Sequence, residues 1–294
     1  MMRPPVGVPA PEMAQLTREE SRSLTHGEFW IPEAERVVYQ AALRALNEAG
    51  VPFVVSGLYA LYEYTGIYRQ TKDLDLLLEP EQVVHAARAL KEAGFRTYLE
   101  QSHWLAKAFR DEAVIDLIFG MGNGLHLIDS GWYAHSRPGI LAAMAVRIAA
   151  PEELIWHRIF VSERHRSDMA DIVHLILLRG DEFDWERLLL RLGEHWRLLL
   201  AQIHLYDYVY PGHRRRIPQW LREELYERAY EEIGKEGDPE VCQGTLLSRF
   251  SFAIDVNEWR FRDPRREAVL AMQATPIIVA IRESEVWDQR RGVR

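Results

Sequence analysis

Residues 69–78 have the sequence RQTKDLDLLL, and the most informative pattern in the chain starts here. Charged residues alternate with leucine and then give way to leucine alone, which is typical of a strand with one exposed end and one buried end. Along a strand, the side chains of Asp73 and Asp75 point to the same face. The pattern therefore predicts two neighbouring carboxylates that can share a divalent cation.

A glycine turn precedes this strand. Residues 52–55 (PFVV) are a short apolar run that ends at Ser56-Gly57, which predicts a buried strand, a tight turn and then a short helix over 58–65. Glycine lets the backbone approach a triphosphate closely, and the start of a helix offers free N–H groups. The turn is therefore a candidate phosphate-binding element.

A third carboxylate follows in a second pair of strands. Residues 104–110 and 113–119 read as strands, and Asp111-Glu112 between them predicts a hairpin turn. Asp116 has four apolar neighbours, so leaving it unpaired would be costly. If its strand lies beside residues 73–78, the three carboxylates form an oxygen site suited to Mg²⁺ or Mn²⁺, and such sites usually serve phosphoryl chemistry.

Two cations lie next to the aspartates in the sequence. Arg69 and Lys72 can act as donors to phosphate oxygens. The alternative interpretation is purely structural: Asp73 only ends a loop, and Asp75 forms an ion pair with one of these two cations.

These motifs resemble the nucleotidyltransferase superfamily with the DNA polymerase β-like fold, whose pattern is a Gly-Gly or Gly-Ser turn, an Asp-x-Asp pair and a third Asp. The matching residues are Ser56-Gly57, Asp73-x-Asp75 and Asp116. Within that superfamily, residues 69–75 are similar to the Arg-x-Thr-Lys-Asp-hydrophobic-Asp form of bacterial minimal nucleotidyltransferases of the AbiEii type. On the same alignment, Arg158 stands where the family commonly has a lysine.

The resemblance implies an α+β fold, with a mixed β-sheet and flanking helices followed by a mainly α-helical C-terminal domain. It implies an Mg²⁺- or Mn²⁺-dependent enzyme that moves NMP from an NTP to an acceptor hydroxyl and releases pyrophosphate. The acceptor would be RNA such as tRNA, a protein or a small molecule. The implied catalytic and metal-binding residues are Asp73, Asp75 and Asp116, and the implied nucleotide-binding residues are Ser56, Gly57, Arg69, Lys72 and Arg158.

Two departures from the family pattern support a second hypothesis. The turn reads Ser-Gly, not Gly-Ser, and Arg158 replaces a point-like ammonium with a planar guanidinium. A catalytically inactive relative that binds nucleotides or acts as an antitoxin-like regulator would fit these changes. Arg158, Arg164, Asp168 and Asp171 can equally be a structural ion-pair group at the start of a helix.

Composition shifts divide the chain into three regions. Residues 1–30 are rich in Pro, Ser, Thr and charge without periodicity, which predicts an N-terminal arm. Residues 31–150 form the predicted nucleotidyltransferase domain, with a strand at the sheet edge near 146–148. The predicted helical C-terminal domain covers 151–294, with helices over 151–163, 168–179, 184–205 and 217–233.

The overall composition excludes several classes of protein. Lys and Arg total 36 against 44 Asp and Glu, for a net charge of -8, so general binding of nucleic acid through positive charge is excluded. The single cysteine excludes an internal disulfide framework. No stretch approaches the roughly 20 apolar residues that span a bilayer, and prolines near the N-terminus are unlike a signal peptide. We therefore expect a cytoplasmic protein without a membrane partner.

Overall fold

A mixed seven-stranded β-sheet forms the centre of the structure, a computed structural model that describes residues 29–164 and 166–289. The predicted N-terminal arm, residues 1–30, lies outside the described residues except for Phe29 and Trp30. The sheet order is β3-β4-β5-β2-β1-β7-β6. The strands are β1 (Val54–Val55), β2 (Asp73–Leu77), β3 (Arg96–Gln101), β4 (Leu105–Arg110), β5 (Ala113–Ile118), β6 (Arg137–Leu141) and β7 (Met144–Ile148).

Helices flank the sheet and continue after its last strand, so the predicted α+β fold with a helical C-terminal region is confirmed. None of the described helices is both long and apolar enough to cross a membrane. The α-helices are α1 (Glu33–Glu48), α2 (Gly57–Thr65), α3 (Pro80–Glu92), α4 (Ser130–Ala134), α5 (Pro151–Arg158), α6 (Met169–Arg179), α7 (Trp185–Leu192), α8 (Trp196–Val209), α9 (Gln219–Glu231), α10 (Ala253–Asn257), α11 (Pro264–Gln273) and α12 (Pro276–Glu283).

The sheet is apolar on one face of β2 and polar on the other. Leu74 and Leu76 are completely buried. Asp73 and Asp75 alternate with them and project from the opposite face. The burial of the leucines therefore determines which way the two carboxylates point.

The pairing of β2, β5 and β4 places further charged residues on the polar face. β2 and β5 are parallel, and Asp75 is paired with Asp116. β5 and β4 are antiparallel, and Asp116 is paired in turn with Lys107. Because paired residues on neighbouring strands share a face, Asp75, Asp116 and Lys107 form one row across the sheet.

The C-terminal segment packs closely against the loop that follows β5. Arg265, in α11, donates a hydrogen bond to the carbonyl oxygen of Gly122 at 2.9 Å. Gly124 has φ +81°, and an added Cβ there would lie 2.6 Å from the backbone nitrogen of Val269. Glycine is therefore needed both for the backbone conformation and for the contact with α11.

Three expectations about secondary structure need correction. β7 is not at the edge of the sheet, because it lies between β1 and β6. The helix predicted over 184–205 is two helices, α7 and α8, which separate at Gly193 with its φ of +51°. β3 is a strand that the apolar pattern does not predict, because its sequence RTYLEQ lacks a regular alternation of apolar residues.

We expect Gly124→Ala to lower the free energy of unfolding by about 3 kcal/mol, because alanine combines strain at positive φ with overpacking against α11. Gly94→Ala is the matched control: Gly94 has φ +86° but nothing within 4 Å of an added Cβ. Only the backbone strain, about 1 kcal/mol, applies there. Urea denaturation measures both losses, and equal losses would show that the loop does not press on α11.

Candidate active site

A cavity of about 890 Å³ lies on the polar face of β2 and β5. The sheet and the start of α2 form one side of it. The loop at 121–123, the end of α5 with the chain leading into α6, and the segment 245–250 form the others. Residues from the strand-rich half and from the C-terminal half thus line the same space.

Asp73, Asp75 and Asp116 line this cavity together. Burial and the negative charges of Asp73 and Asp116 raise the pKa of Asp75 to about 7. Burial also raises the pKa of Asp116, against the opposing effect of Lys107. Like charges in a half-buried cluster favour either protonation or a bound cation, so the site attracts positive charge.

Gly57 begins α2 directly against Asp75. Its φ is +62°, and an added Cβ would collide with Oδ2 of Asp75. The amide of Ser56, a buried residue, donates to the carbonyl oxygen of Asp75 at 2.9 Å. The first N–H groups of a helix have no partner within the helix, so this turn presents donors next to the carboxylates.

Arg158, Asp171 and Arg69 connect the glycine turn to α6. Arg158 donates to the carbonyl oxygen of Gly57 at 2.9 Å and to Asp171 at 3.4 Å. Arg69 donates to both oxygens of Asp171 at 2.7 Å. Two cations flank one carboxylate, so this group of three side chains carries a net positive charge. Asp171 thus takes part in a structural ion-pair group as expected, but its partners are Arg158 and Arg69, not Arg164. Arg158 and Arg69 both line the cavity.

Asp116 is held by a lysine that the motif does not include. Nζ of Lys107 donates to Oδ1 at 2.6 Å and to Oδ2 at 2.9 Å. The sequence contained a signal for this contact: a two-residue hairpin turn at 111–112 pairs residue 110 with 113, and therefore 107 with 116.

Three further arginines line the cavity without belonging to any sequence motif. Arg166 pairs with both oxygens of Asp168 at 3.1 Å, yet its side chain is 67% exposed. The exposed Arg249 lies over the ring of Phe250 at 4.5 Å, and Arg265 reaches the loop after β5. No local pattern predicts Arg249 and Arg265, because they come to the site only through tertiary folding.

Of the predicted phosphate ligands, Ser56, Gly57, Arg69 and Arg158 line the cavity. Lys72 is exposed and lies outside the lining. It directly precedes Asp73, the first residue of β2, and is not itself part of the strand.

The donor set fits one divalent cation. Asp73 and Asp75 offer adjacent hard oxygen ligands, and Thr71 orients Asp73 by donating to its Oδ1 at 2.9 Å. Because Gly57 has no Cβ, Oδ2 of Asp75 fits directly against the glycine turn. Within the described residues, no three histidine, cysteine, aspartate or glutamate side chains form a group that could hold a metal ion.

Residues 33–206 match the sequence profile of a family described as uncharacterised nucleotidyltransferases. The chain belongs to this family. The match covers the glycine turn and all three aspartates, so the superfamily predicted from the motifs is confirmed and the protein is a nucleotidyltransferase. No curated protein sequence matches the chain.

Solved structures give further, distant matches to this nucleotidyltransferase. ANT(2'')-Ia in complex with adenylyl-2''-tobramycin is 17% identical; the match covers 56% of this chain and 98% of that chain, with a TM-score of 0.41. The lincosamide adenylyltransferase LnuA with bound lincomycin is 14% identical, covering 49% and 96%, with a TM-score of 0.36. JHP933 from Helicobacter pylori is 14% identical, covering 70% and 99%, with a TM-score of 0.35.

His157 stands in the cavity wall of the nucleotidyltransferase. Burial and the positive charges of Arg158 and Arg166 lower the pKa of His157 to about 4. Its ring packs edge-on against Trp132, with 6.1 Å between centroids. His157 is therefore neutral in the folded protein at pH 7, and folding opposes its protonation.

We expect His157 to make the protein less stable at pH 5 than at pH 7 by about 2 kcal/mol. The unfolded chain binds a proton near pH 6.5, whereas the folded chain does so only near pH 4, so stability is lost as the pH falls through this window. In His157→Gln this part of the pH dependence disappears; in the control His85→Gln, at an exposed position of α3, it persists. Chemical denaturation at both pH values measures it, and unchanged pH dependence in His157→Gln would contradict the assignment.

Proposed function

We propose that this protein transfers NMP from an NTP to an acceptor hydroxyl, releases pyrophosphate and uses Mg²⁺ or Mn²⁺. The observation that carries the proposal is the convergence of Asp73, Asp75 and the Gly57 turn on one large cavity. Membership of the nucleotidyltransferase family supplies the reaction class.

Asp73 and Asp75 would hold the divalent cation. When bound, such a cation neutralises phosphate charge and polarises phosphoryl oxygens. Asp116, in the same row of the sheet, would orient the acceptor hydroxyl and accept its proton. These assignments use the face of β2 from which Asp73 and Asp75 project, opposite the buried Leu74 and Leu76.

The turn at Ser56-Gly57 would take the triphosphate, since the first N–H groups of α2 are donors for anions. Arg69 and Arg158 would add positive charge, although both already bind Asp171. Arg166 would add an exposed guanidinium to the same wall. Lys72 is the weakest of the proposed phosphate ligands because it lies outside the cavity lining.

The proposal extends to the subfamily and the acceptor. Kinship with AbiEii-type nucleotidyltransferases is supported by the sequence of residues 69–75. The acceptor is RNA such as tRNA, a protein or a small molecule, and a screen with labelled NTPs and fractionated acceptors distinguishes these classes. Tight NTP binding without transfer to any acceptor would instead favour the inactive, antitoxin-like relative.

Asp73→Asn should reduce NMP transfer by at least about 100-fold, because it removes one of the two charges that hold the cation. The measurement is incorporation of label from NTPs with Mg²⁺ and the acceptor found in the screen. Asp111→Asn, in the exposed β4–β5 turn, is the control and should transfer at the wild-type rate. Full activity in Asp73→Asn would remove the proposed mechanism.

Gly57→Ala should also reduce transfer by about 100-fold, because its Cβ displaces the carboxylate of Asp75, and small misplacements of reacting groups have effects of that size. Gly50→Ala is the matched control, with φ +68° and nothing within 4 Å of an added Cβ. Both variants carry similar backbone strain, so equal rates in the two would show that the contact between Gly57 and Asp75 has no role in transfer.

A further inference from the structure

Asp116, the third carboxylate of the site, already forms an ion pair with a lysine of the protein. Both oxygens of Asp116 accept hydrogen bonds from Nζ of Lys107, at 2.6 and 2.9 Å. The side chains are largely buried, with exposed fractions of 10% for Asp116 and 21% for Lys107. Charge-assisted bonds of this length, partly shielded from water, are strong.

The position of Lys107 is set by the backbone. β4 lies between β3 and β5, so its register is held on both sides, opposite Tyr98 and opposite Asp116. Ala106 and Ala108 on either side of Lys107 are completely buried on the other face. Lys107 can therefore emerge only on the carboxylate face.

The ammonium group of Lys107 occupies the oxygens that a second cation would need. Two divalent cations roughly 3.5–4 Å apart are the usual arrangement for phosphoryl transfer on carboxylate sites. Here a cation at Asp116 would have to displace the ammonium group from both oxygens of that carboxylate or lie directly against it.

We propose that this nucleotidyltransferase binds a single divalent cation, at Asp73 and Asp75, and that Nζ of Lys107 provides the second positive charge and orients Asp116. The inference rests on the proposed function. Lys107 is a positioning residue, since it acts through Asp116 and not on the nucleotide. The proton that leaves the acceptor hydroxyl would go to Asp116, and Lys107 would keep that carboxylate in place during the transfer.

The test counts cations directly. Crystals of the full chain grown with Mn²⁺ and a non-hydrolysable NTP analogue, measured at the manganese absorption edge, should show one anomalous peak, at Asp73 and Asp75. Lys107 should still contact Asp116. In Lys107→Met a second peak should appear at Asp116, whereas Lys107→Arg, which keeps the charge, should retain one peak.

A solution experiment gives an independent readout. Electron paramagnetic resonance of free Mn²⁺ should give one bound ion per wild-type complex with the analogue and two for Lys107→Met. Lys91→Met is the matched control, because Lys91, in α3, pairs with Asp288 at 2.8 Å and neither residue lines the cavity. It should leave the count at one. Thermal melting of each variant confirms that it is folded.

Three results would overturn the proposal. Two manganese peaks in the wild type, with Lys107 turned away from Asp116, would show that the lysine does not replace a cation. One peak in Lys107→Met would show that Lys107 does not determine the count. Absence of manganese from every protein, together with absence of NMP transfer, would overturn the proposed function as well, whereas two peaks with normal transfer would overturn only the role of Lys107.

Discussion

Electrostatic repulsion among Asp73, Asp75 and Asp116 is the constraint to which the rest of the site responds. Hydrogen bonding between β2 and β5 holds Asp75 beside Asp116, and the leucines that alternate along β2 prevent the carboxylates from turning away. Burial, together with the negative charges of Asp73 and Asp116, raises the pKa of Asp75 to about 7. Lys107, on the neighbouring strand β4, reduces this repulsion by pairing with Asp116. The cavity is the space in which further positive charge can bind.

Two of the arginines that line the cavity have a structural role. Arg158 ties the carbonyl oxygen of Gly57 to Asp171, and Arg69 holds the same aspartate from the other side. The glycine turn, α5 and α6 are thereby joined through one carboxylate. In the proposed function, a phosphate would meet guanidinium groups that are already oriented, which lowers the entropic cost of binding it.

The sequence predicted most of the strands and helices because their apolar periodicity is local. It also singled out the three aspartates and the glycine turn, and the structure places all of them on one cavity. The prediction of Lys107 was within reach, because the Asp111-Glu112 turn sets its register opposite Asp116. Lys72 shows that proximity in the sequence does not place a residue in the site: it is adjacent to Asp73 but lies outside the cavity lining.

By itself, the sequence determined the α+β class, the polar face of β2 and the family, since each depends on patterns within a few dozen residues. Only the tertiary structure decided which cations meet these carboxylates. Arg249 and Arg265 reach the cavity from more than a hundred residues away, and Gly124 allows α11 to approach the loop after β5. Such contacts depend on packing between elements that are far apart in the sequence. They leave no periodic signal in the chain, because the residue required at each position depends on its neighbours in space and not on those in the sequence.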